Sequence, residues 1–352
     1  MSVAAAAVVV SSHLLSYGAS QLPWAAITQR WGSVRALRVS LGGAGVFAAA
    51  AGAAPNLQWL VASRVVGGMF LAAAVPAALL YVATQVRPEE QQRGFARIVA
   101  ANGIGIVLAT GVAAVAVAGE QWRGGYLAVA VFLVGCSLSV RTLAETREGC
   151  APARLAVSQV AQPRRLQHVV GARVGDVVRP ALLVMIEGVA VVGGVMVLPV
   201  LADAAELPSS VGWISLAVYG FAMPISSRAL VQWRRIPASL PGRTVLGGFL
   251  LLAASAGLWL APPLVGVLAT AALLGCCWSA LHPVLQESAT HVWPLRRAYA
   301  LGIFVTALFV GSGTGAQAFA FAAERGAGVT SLALLVGALA LLLAERLTRR
   351  PS

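Results

Sequence analysis

Apolar residues run along this chain in eleven long stretches, separated by connections that carry most of the charge. The stretches cover about 4–27, 39–55, 57–86, 97–118, 125–141, 180–204, 210–232, 244–262, 264–290, 298–322 and 327–345. A helix that crosses a bilayer needs roughly 20 mainly apolar residues for about 30 Å of hydrocarbon, and these runs reach that length. The pattern predicts an all-α membrane protein of about 11 transmembrane helices. Proline and glycine fall inside several runs, as is common in membrane helices. The only sizeable polar stretch, 143–178, divides the chain into an N-terminal half of five spans (1–142) and a C-terminal half of six (179–352). Within it, 166–178 is expected to form a short interfacial helix.

The two halves repeat one another. Ala83-Thr84-Gln85-Val86-Arg87-Pro88 is echoed 206 residues later by Ala289-Thr290-His291-Val292-Trp293-Pro294. Gly68 and Pro76 precede the first copy as Gly275 and Pro283 precede the second. Tyr17-Gly18 and Pro23 parallel Tyr219-Gly220 and Pro224, and Leu41-Gly42-Gly43 parallels Leu246-Gly247-Gly248. A period this long excludes a solenoid and fits two large halves built on one plan, which in a membrane protein points to a transporter.

Composition agrees: 59% of residues are hydrophobic and 11% charged, against about 25% charged in soluble domains. The net charge of +13 comes from 25 arginines with no lysine. These lie between the apolar runs and not on one soluble surface, so nucleic acid is not an expected partner. The lack of lysine excludes Schiff-base chemistry and a phosphate-loop lysine. All arginines except Arg64, Arg123 and Arg325 fall on one side of the predicted topology, which places the central connection and the C-terminus in the cytoplasm. With eleven spans the same rule puts Met1 outside, and a further span upstream of it is expected. Cys136, Cys150, Cys276 and Cys277 form no CxxC pair and are read as apolar filler.

Three motifs carry a family resemblance. Ala25-Ala26-Ile27-Thr28-Gln29-Arg30-Trp31-Gly32-Ser33-Val34-Arg35 resembles the cytoplasmic G-x-x-x-D-R-x-G-R-R signature of the major facilitator superfamily. Arg30 and Gly32 match. Gln29 stands for the aspartate, Ser33 and Val34 for the paired arginines, and Arg35 lies one position beyond. Arg64-Val65-Val66-Gly67-Gly68 is similar to that family's fourth-helix arginine with its glycines. Trp122-Arg123-Gly124-Gly125-Tyr126 is similar to the W-R-W-x-F stretch that opens its sixth helix. The run Gly103–Gly111 has the glycines of the fifth-helix antiporter signature without its proline. The resemblance covers nearly the whole chain and implies a two-half bundle of twelve helices, the first span here matching the second.

Ionisable residues inside spans are the candidates for transport, because each costs roughly 2.5–3.5 kcal/mol at the bilayer centre on insertion scales. Arg64 lies about two turns into the third span, and the resemblance places it on a cavity-lining helix. It is read as a substrate or proton-relay cation, or else as a cap on neighbouring carbonyls. Glu187 lies about two turns into the sixth span, which matches the family's cavity-lining seventh helix. It is the leading candidate for proton coupling, with snorkelling to the membrane surface the alternative. His282 near mid-span is of the residue type that titrates near neutral pH when unperturbed, with a hydrogen-bonded packing histidine the equal alternative. Glu287, near the cytoplasmic end of its span, is the fourth candidate, with an interfacial residue the favoured reading. His13 is expected to pack between helices. Gly311-Ser312-Gly313-Thr314-Gly315-Ala316 has the form of a dinucleotide fingerprint but lies inside an apolar span, where small residues pack helices together.

The reading that follows is a proton-coupled secondary transporter of a small organic solute, working by alternating access. Efflux of drug-like compounds is slightly favoured, since the spans offer few polar groups for a sugar. The alternative is a truncated or non-transporting relative. No enzyme motif is found, and no cofactor or metal is expected. The partners are the lipid bilayer, the solute and protons, with the chain acting as a monomer in the cell membrane.

Overall fold

The computed structural model describes residues 3–143, 174–232, 239–293 and 297–348. Most of the central connection, with Arg147, Arg154, Arg164, Arg165, Arg173 and Cys150, lies outside them, as do Arg234, Arg235, Arg296, Arg349 and Arg350. Among the described residues every regular element is a helix. In chain order these are α1 Val3–Ala19, α2 Gln21–Trp31, α3 Ser33–Gly52, α4 Leu57–Leu71, α5 Ala74–Gln85, α6 Pro88–Ala118 and α7 Trp122–Ser139. After the central connection come α8 Val174–Glu187, a π-helical turn Gly188–Val192, α9 Gly193–Met196, α10 Leu198–Ala204 and α11 Ser209–Gln232. The last four are α12 Leu240–Leu260, α13 Pro263–Val292, α14 Arg297–Ala323 and α15 Ala327–Thr348.

Ten helical stretches among the described residues are long and apolar enough to cross a membrane, where the pattern predicted about eleven. The expected first span is the exception, because its apolar helix Val8–Ala19 is shorter. Its break has a simple cause. Ser20 N–H donates to Ser16 and Trp24 N–H to Ser20, each at 3.1 Å, but Pro23 has no N–H to offer Ala19. The expected span 57–86 is one helical stretch, Leu57–Gln85, interrupted only by a turn at Ala72–Ala73 between α4 and α5: Pro76 offers no N–H to Ala72, while Ala77 still donates to Ala73 at 2.9 Å. Large side chains face outward along the helices, among them Leu260 at 79% exposure and Val131 at 74%. A water-soluble surface does not carry so many, and a lipid-facing one does.

The chain forms two compact units whose segments interleave in sequence. The first comprises Met1–Gly94, Val115–Val178 and Ala289–Phe309; the second comprises Phe95–Ala114, Arg179–Ser288 and Val310–Ser352. In the first unit, α3 lies against α7 through its glycines: a Cβ at Gly45 would stand 2.8 Å from Val134, and one at Gly52 would stand 3.1 Å from the Arg123 carbonyl. Two bonds pin the ends of this pair, from Ser137 Oγ to the Arg38 carbonyl at 2.9 Å and from Arg123 to the Ala54 carbonyl at 3.0 Å. In the second unit, α12 and α15 are joined by reciprocal bonds: Ser255 Oγ donates to the Ser331 carbonyl at 2.9 Å and Ser331 Oγ to the Ser255 carbonyl at 2.7 Å. Such pairing satisfies hydroxyls that lipid cannot.

Gly32 joins α2 to α3 at φ 86°, ψ 162°, with its N–H on the Thr28 carbonyl at 2.9 Å. This conformation belongs almost entirely to glycine, and another residue there is strained by about 1–3 kcal/mol. Gly32→Ala should therefore lower the unfolding midpoint of the detergent-purified protein, whereas Ala26→Gly, a loss of helix propensity only, should change it less.

Candidate functional site

Glu187, His282 and two neighbours form a buried polar cluster in the second unit. α13 supplies three of the four from one face, since Trp278, His282 and Gln286 recur at four-residue spacing, one helical turn apart. Glu187 comes from the last residue of α8, where the helix widens into the π turn Gly188–Val192. Such insertions are frequent at functional sites. Glu187 is fully buried, His282 is 4% exposed and Gln286 3%.

Glu187 Oε2 lies 2.8 Å from His282 Nδ1. His282 Nε2 lies 3.0 Å from Gln286 Nε2. An amide nitrogen only donates, so His282 accepts at Nε2 and carries its proton on Nδ1, directed at the carboxylate. Trp278 stacks on the imidazole at 4.0 Å between ring centroids, with 17° between the planes. Three buried atoms of the cluster have no hydrogen-bond partner: Glu187 Oε1, Gln286 Oε1 and Trp278 Nε1. The cluster therefore holds a carboxylate and an imidazole in direct contact, walled by an indole. A proton added to the pair has two adjacent sites, and the glutamine amide can turn its oxygen to a protonated Nε2.

Arg64 lies in the first unit, on α4. Its guanidinium carbon sits 5.7 Å from the centre of the Tyr126 ring, within cation–π range. Tyr126 in turn meets Trp122 edge-on at 6.1 Å, and Arg123 lies 4.6 Å over the Trp122 ring. The fourth-helix arginine and the W-R-G-G-Y stretch, read separately in the sequence, thus meet in space. His13 packs between helices as expected, its Nδ1–H donating to the Arg64 carbonyl at 3.0 Å. A carbonyl can only accept, which fixes the tautomer. The Arg64 Nε has no partner.

Glu187 and His282 are therefore brought together, Arg64 belongs to the other compact unit, and Glu287 is half-buried, five residues beyond His282. Gln29 and Arg30 are exposed at the end of α2, Gly32 forms the turn, and Arg35 in α3 places its guanidinium 5.0 Å over the Trp31 ring. Gln286 escaped the sequence reading. Its signal was the four-residue spacing from His282, which puts a second polar group on the same helix face.

No curated protein matches the chain. Among solved structures, the fold is similar to that of a D-xylose-proton symporter, with a TM-score of 0.70, 15% identity, and coverage of 97% of this chain and 88% of that one. It is similar to a point variant of the fucose:proton symporter FucP of E. coli, with a TM-score of 0.66, 12% identity, and coverage of 99% and 92%. It is also similar to the human organic anion transporter MFSD10 (TETRAN), with a TM-score of 0.72, 18% identity, and coverage of 98% and 83%. At these identities the likeness concerns the fold. The family model for the Major Facilitator Superfamily matches residues 1–316. A multi-pass helical bundle of this form, matched over most of its length, belongs to the Major Facilitator Superfamily.

Proposed function

We propose that this chain is a secondary transporter that moves a small organic solute by alternating access and couples that movement to protons through Glu187 and His282. The observation that carries this reading is a fully buried carboxylate 2.8 Å from a buried imidazole, inside helices long and apolar enough to span a membrane. Charge there is expensive, so the pair favours states without net charge, and those states hold one proton beyond the imidazole's own Nδ1–H, either on the carboxyl or on Nε2. Releasing that proton leaves an uncompensated carboxylate, which favours a rearrangement that brings in water or a cationic substrate. That is the physical link between protonation and conformational change that coupling requires.

In this reading residues 1–142 and 179–352 are the two halves that move about the site, 143–178 is a cytoplasmic connection, and the C-terminus is cytoplasmic. Arg64 sets the charge of the cavity in the first half, Gln29, Arg30, Gly32 and Arg35 form the cytoplasmic signature loop, and Glu287 lies at the cytoplasmic mouth. The chain acts as a monomer in the cell membrane. Two of the similar structures are named as proton symporters, which supports coupling to protons. Efflux of drug-like compounds remains the favoured direction, because the spans as a whole offer few polar groups for a sugar.

Flux of a panel of labelled amphipathic and sugar-like solutes, measured in vesicles with an imposed pH gradient, tests the proposal. Movement of at least one solute should follow the gradient and collapse with a protonophore. Flux that ignores the gradient removes the coupling, and absence of flux for every solute favours the non-transporting alternative.

A further inference from the structure

Gln286 carries no charge and no acidic proton, yet it meets the ring nitrogen of His282 on the side away from Glu187. Its Nε2 lies 3.0 Å from His282 Nε2, and its Oε1 is buried without a hydrogen-bond partner. The ring between them has fixed surroundings. Trp278 stacks on its face with 17° between the planes, and Glu187 Oε2 stands 2.8 Å from Nδ1. Trp278 and Gln286 sit one turn to either side of His282 on α13, so stack, ring and amide are carried by one helix. The pair without net charge has two forms that differ only in the place of one proton, on the Glu187 carboxyl or on His282 Nε2. These forms ask opposite things of residue 286. A bare Nε2 accepts and needs a donor; a protonated Nε2 donates and needs an acceptor. Both residues are buried, so leaving either need unmet is costly. A primary amide meets both, because a half-turn about its terminal bond exchanges N–H for carbonyl oxygen.

We infer that Gln286 is the positioning residue that decides whether the proton of the neutral pair rests on Glu187 or on His282 Nε2. Its part in transport rests on the proton-coupling reading above; the placement of the proton does not. With the amide nitrogen toward the ring, as it stands, Nε2 is bare and the proton belongs on the carboxyl. With the amide turned, Gln286 Oε1 accepts from Nε2–H, and carboxylate and imidazolium face each other directly. Other titratable groups do not take over this choice. Tyr219 on α11 and Cys277 on α13 are the further ones that feel the charge of Glu187. The Cys277 thiol is directed at the Gly247 carbonyl of α12, at 3.5 Å. Glu287, next to Gln286 in sequence, is turned about 100° around α13 from it. At their packing contacts with the segment that carries Glu187, α14 and α15 place Gly311, Gly315 and Gly337, which hold no charge.

The test is solid-state nitrogen NMR of the full chain in lipid vesicles, with isotope-labelled histidine, followed through a pH titration. The chemical shift of each ring nitrogen tells bare from protonated, and the His282 signals are those lost in His282→Asn. Two variants of nearly equal size move the balance in opposite directions. Gln286→Glu offers Nε2 an anionic acceptor, whereas Gln286→Met offers neither partner, and the charged ring loses more by that than the bare one. At the pH where wild-type Nε2 is half protonated, the ratio of protonated to bare ring should rise about tenfold in Gln286→Glu and fall about tenfold in Gln286→Met. A residue that only packs against the ring would shift neither. Equal ratios in the three proteins, or a shift of both variants in one direction, overturn the inference. Should the variants fail to fold, wild type decides: Nε2 must pass from bare to protonated during the titration, and an Nε2 that never changes overturns it. The measurement needs no solute. A chain that proves uncoupled in the vesicle assay therefore loses the transport role of the pair, while the placement of the proton by Gln286 is still decided.

Discussion

In vesicles with an imposed pH gradient, Glu187→Gln should lose the gradient-driven part of solute flux by about 100-fold, the low end of what a positioned proton carrier contributes. Glutamine is close to glutamate in size, and its amide can still meet His282 Nδ1, now 2.8 Å from Glu187 Oε2. Packing and folding are therefore retained while the proton site is removed. Exchange of solute at equal pH on the two sides should continue, because it needs the conformational cycle but no net proton movement. This separation distinguishes a proton carrier from a carboxylate that only holds two helices together: in the latter case both kinds of flux fall in step with the amount of folded protein. Gradient-driven flux equal to wild type would exclude Glu187 from coupling. A companion variant, His282→Ala, should lose both kinds of flux, since it leaves the buried carboxylate without its partner, at about 1–3 kcal/mol or more for a charged group.

The spans were legible because the bilayer reads the same property that hydropathy does. Runs of apolar residues long enough to cross it appear as helices at almost every expected place. The breaks at Ser20 and at Ala72–Ala73 were visible only as Pro23 and Pro76, and a proline within an apolar run does not say whether the helix bends or stops. The candidate residues were legible one at a time. A glutamate and a histidine inside spans stand out by their cost in lipid. Their pairing did not show, because 95 residues separate them and a single sequence carries no record of which spans are neighbours. Arg243 shows the converse. Counted by position it was one more connection arginine, and its burial, with Nε and Nη1 lacking hydrogen-bond partners, shows only in the structure. The glycine-rich Gly311–Gly315 stretch was read from context: without a preceding strand its small residues pointed to helix packing, and α14 does pack there against the segment that carries Glu187.

That contact supports the second large prediction, Gly315→Val. A Cβ at Gly315 would stand 2.5 Å from the Val189 carbonyl oxygen and 2.6 Å from its Cα, and one at Gly193 would stand 2.7 Å from the Gly315 carbonyl carbon. One turn earlier, a Cβ at Gly311 would meet the Met185 carbonyl oxygen. The atoms in the way are backbone, so relief requires one helix to move as a body. In lipid no hydrophobic force compensates, because the helices associate through close packing itself. Overpacking of this kind costs about 1–3 kcal/mol even where side chains can yield, and here they cannot. Gly315→Val should therefore lower the unfolding midpoint sharply and reduce the monodisperse fraction on size exclusion. Gly313 lies between the two contact positions and has nothing within 4 Å of its added Cβ, so Gly313→Val serves as the control with the same chemistry and no clash. Equal midpoints for the two variants would dispose of the packing argument. The milder Gly315→Ala links packing to transport. Val189 belongs to the π turn that follows Glu187, so displacing that turn moves the carboxylate relative to His282. A folded Gly315→Ala protein should keep solute exchange at equal pH and lose part of its response to the gradient. Full retention of that response would show that the position of the turn does not govern the proton pair.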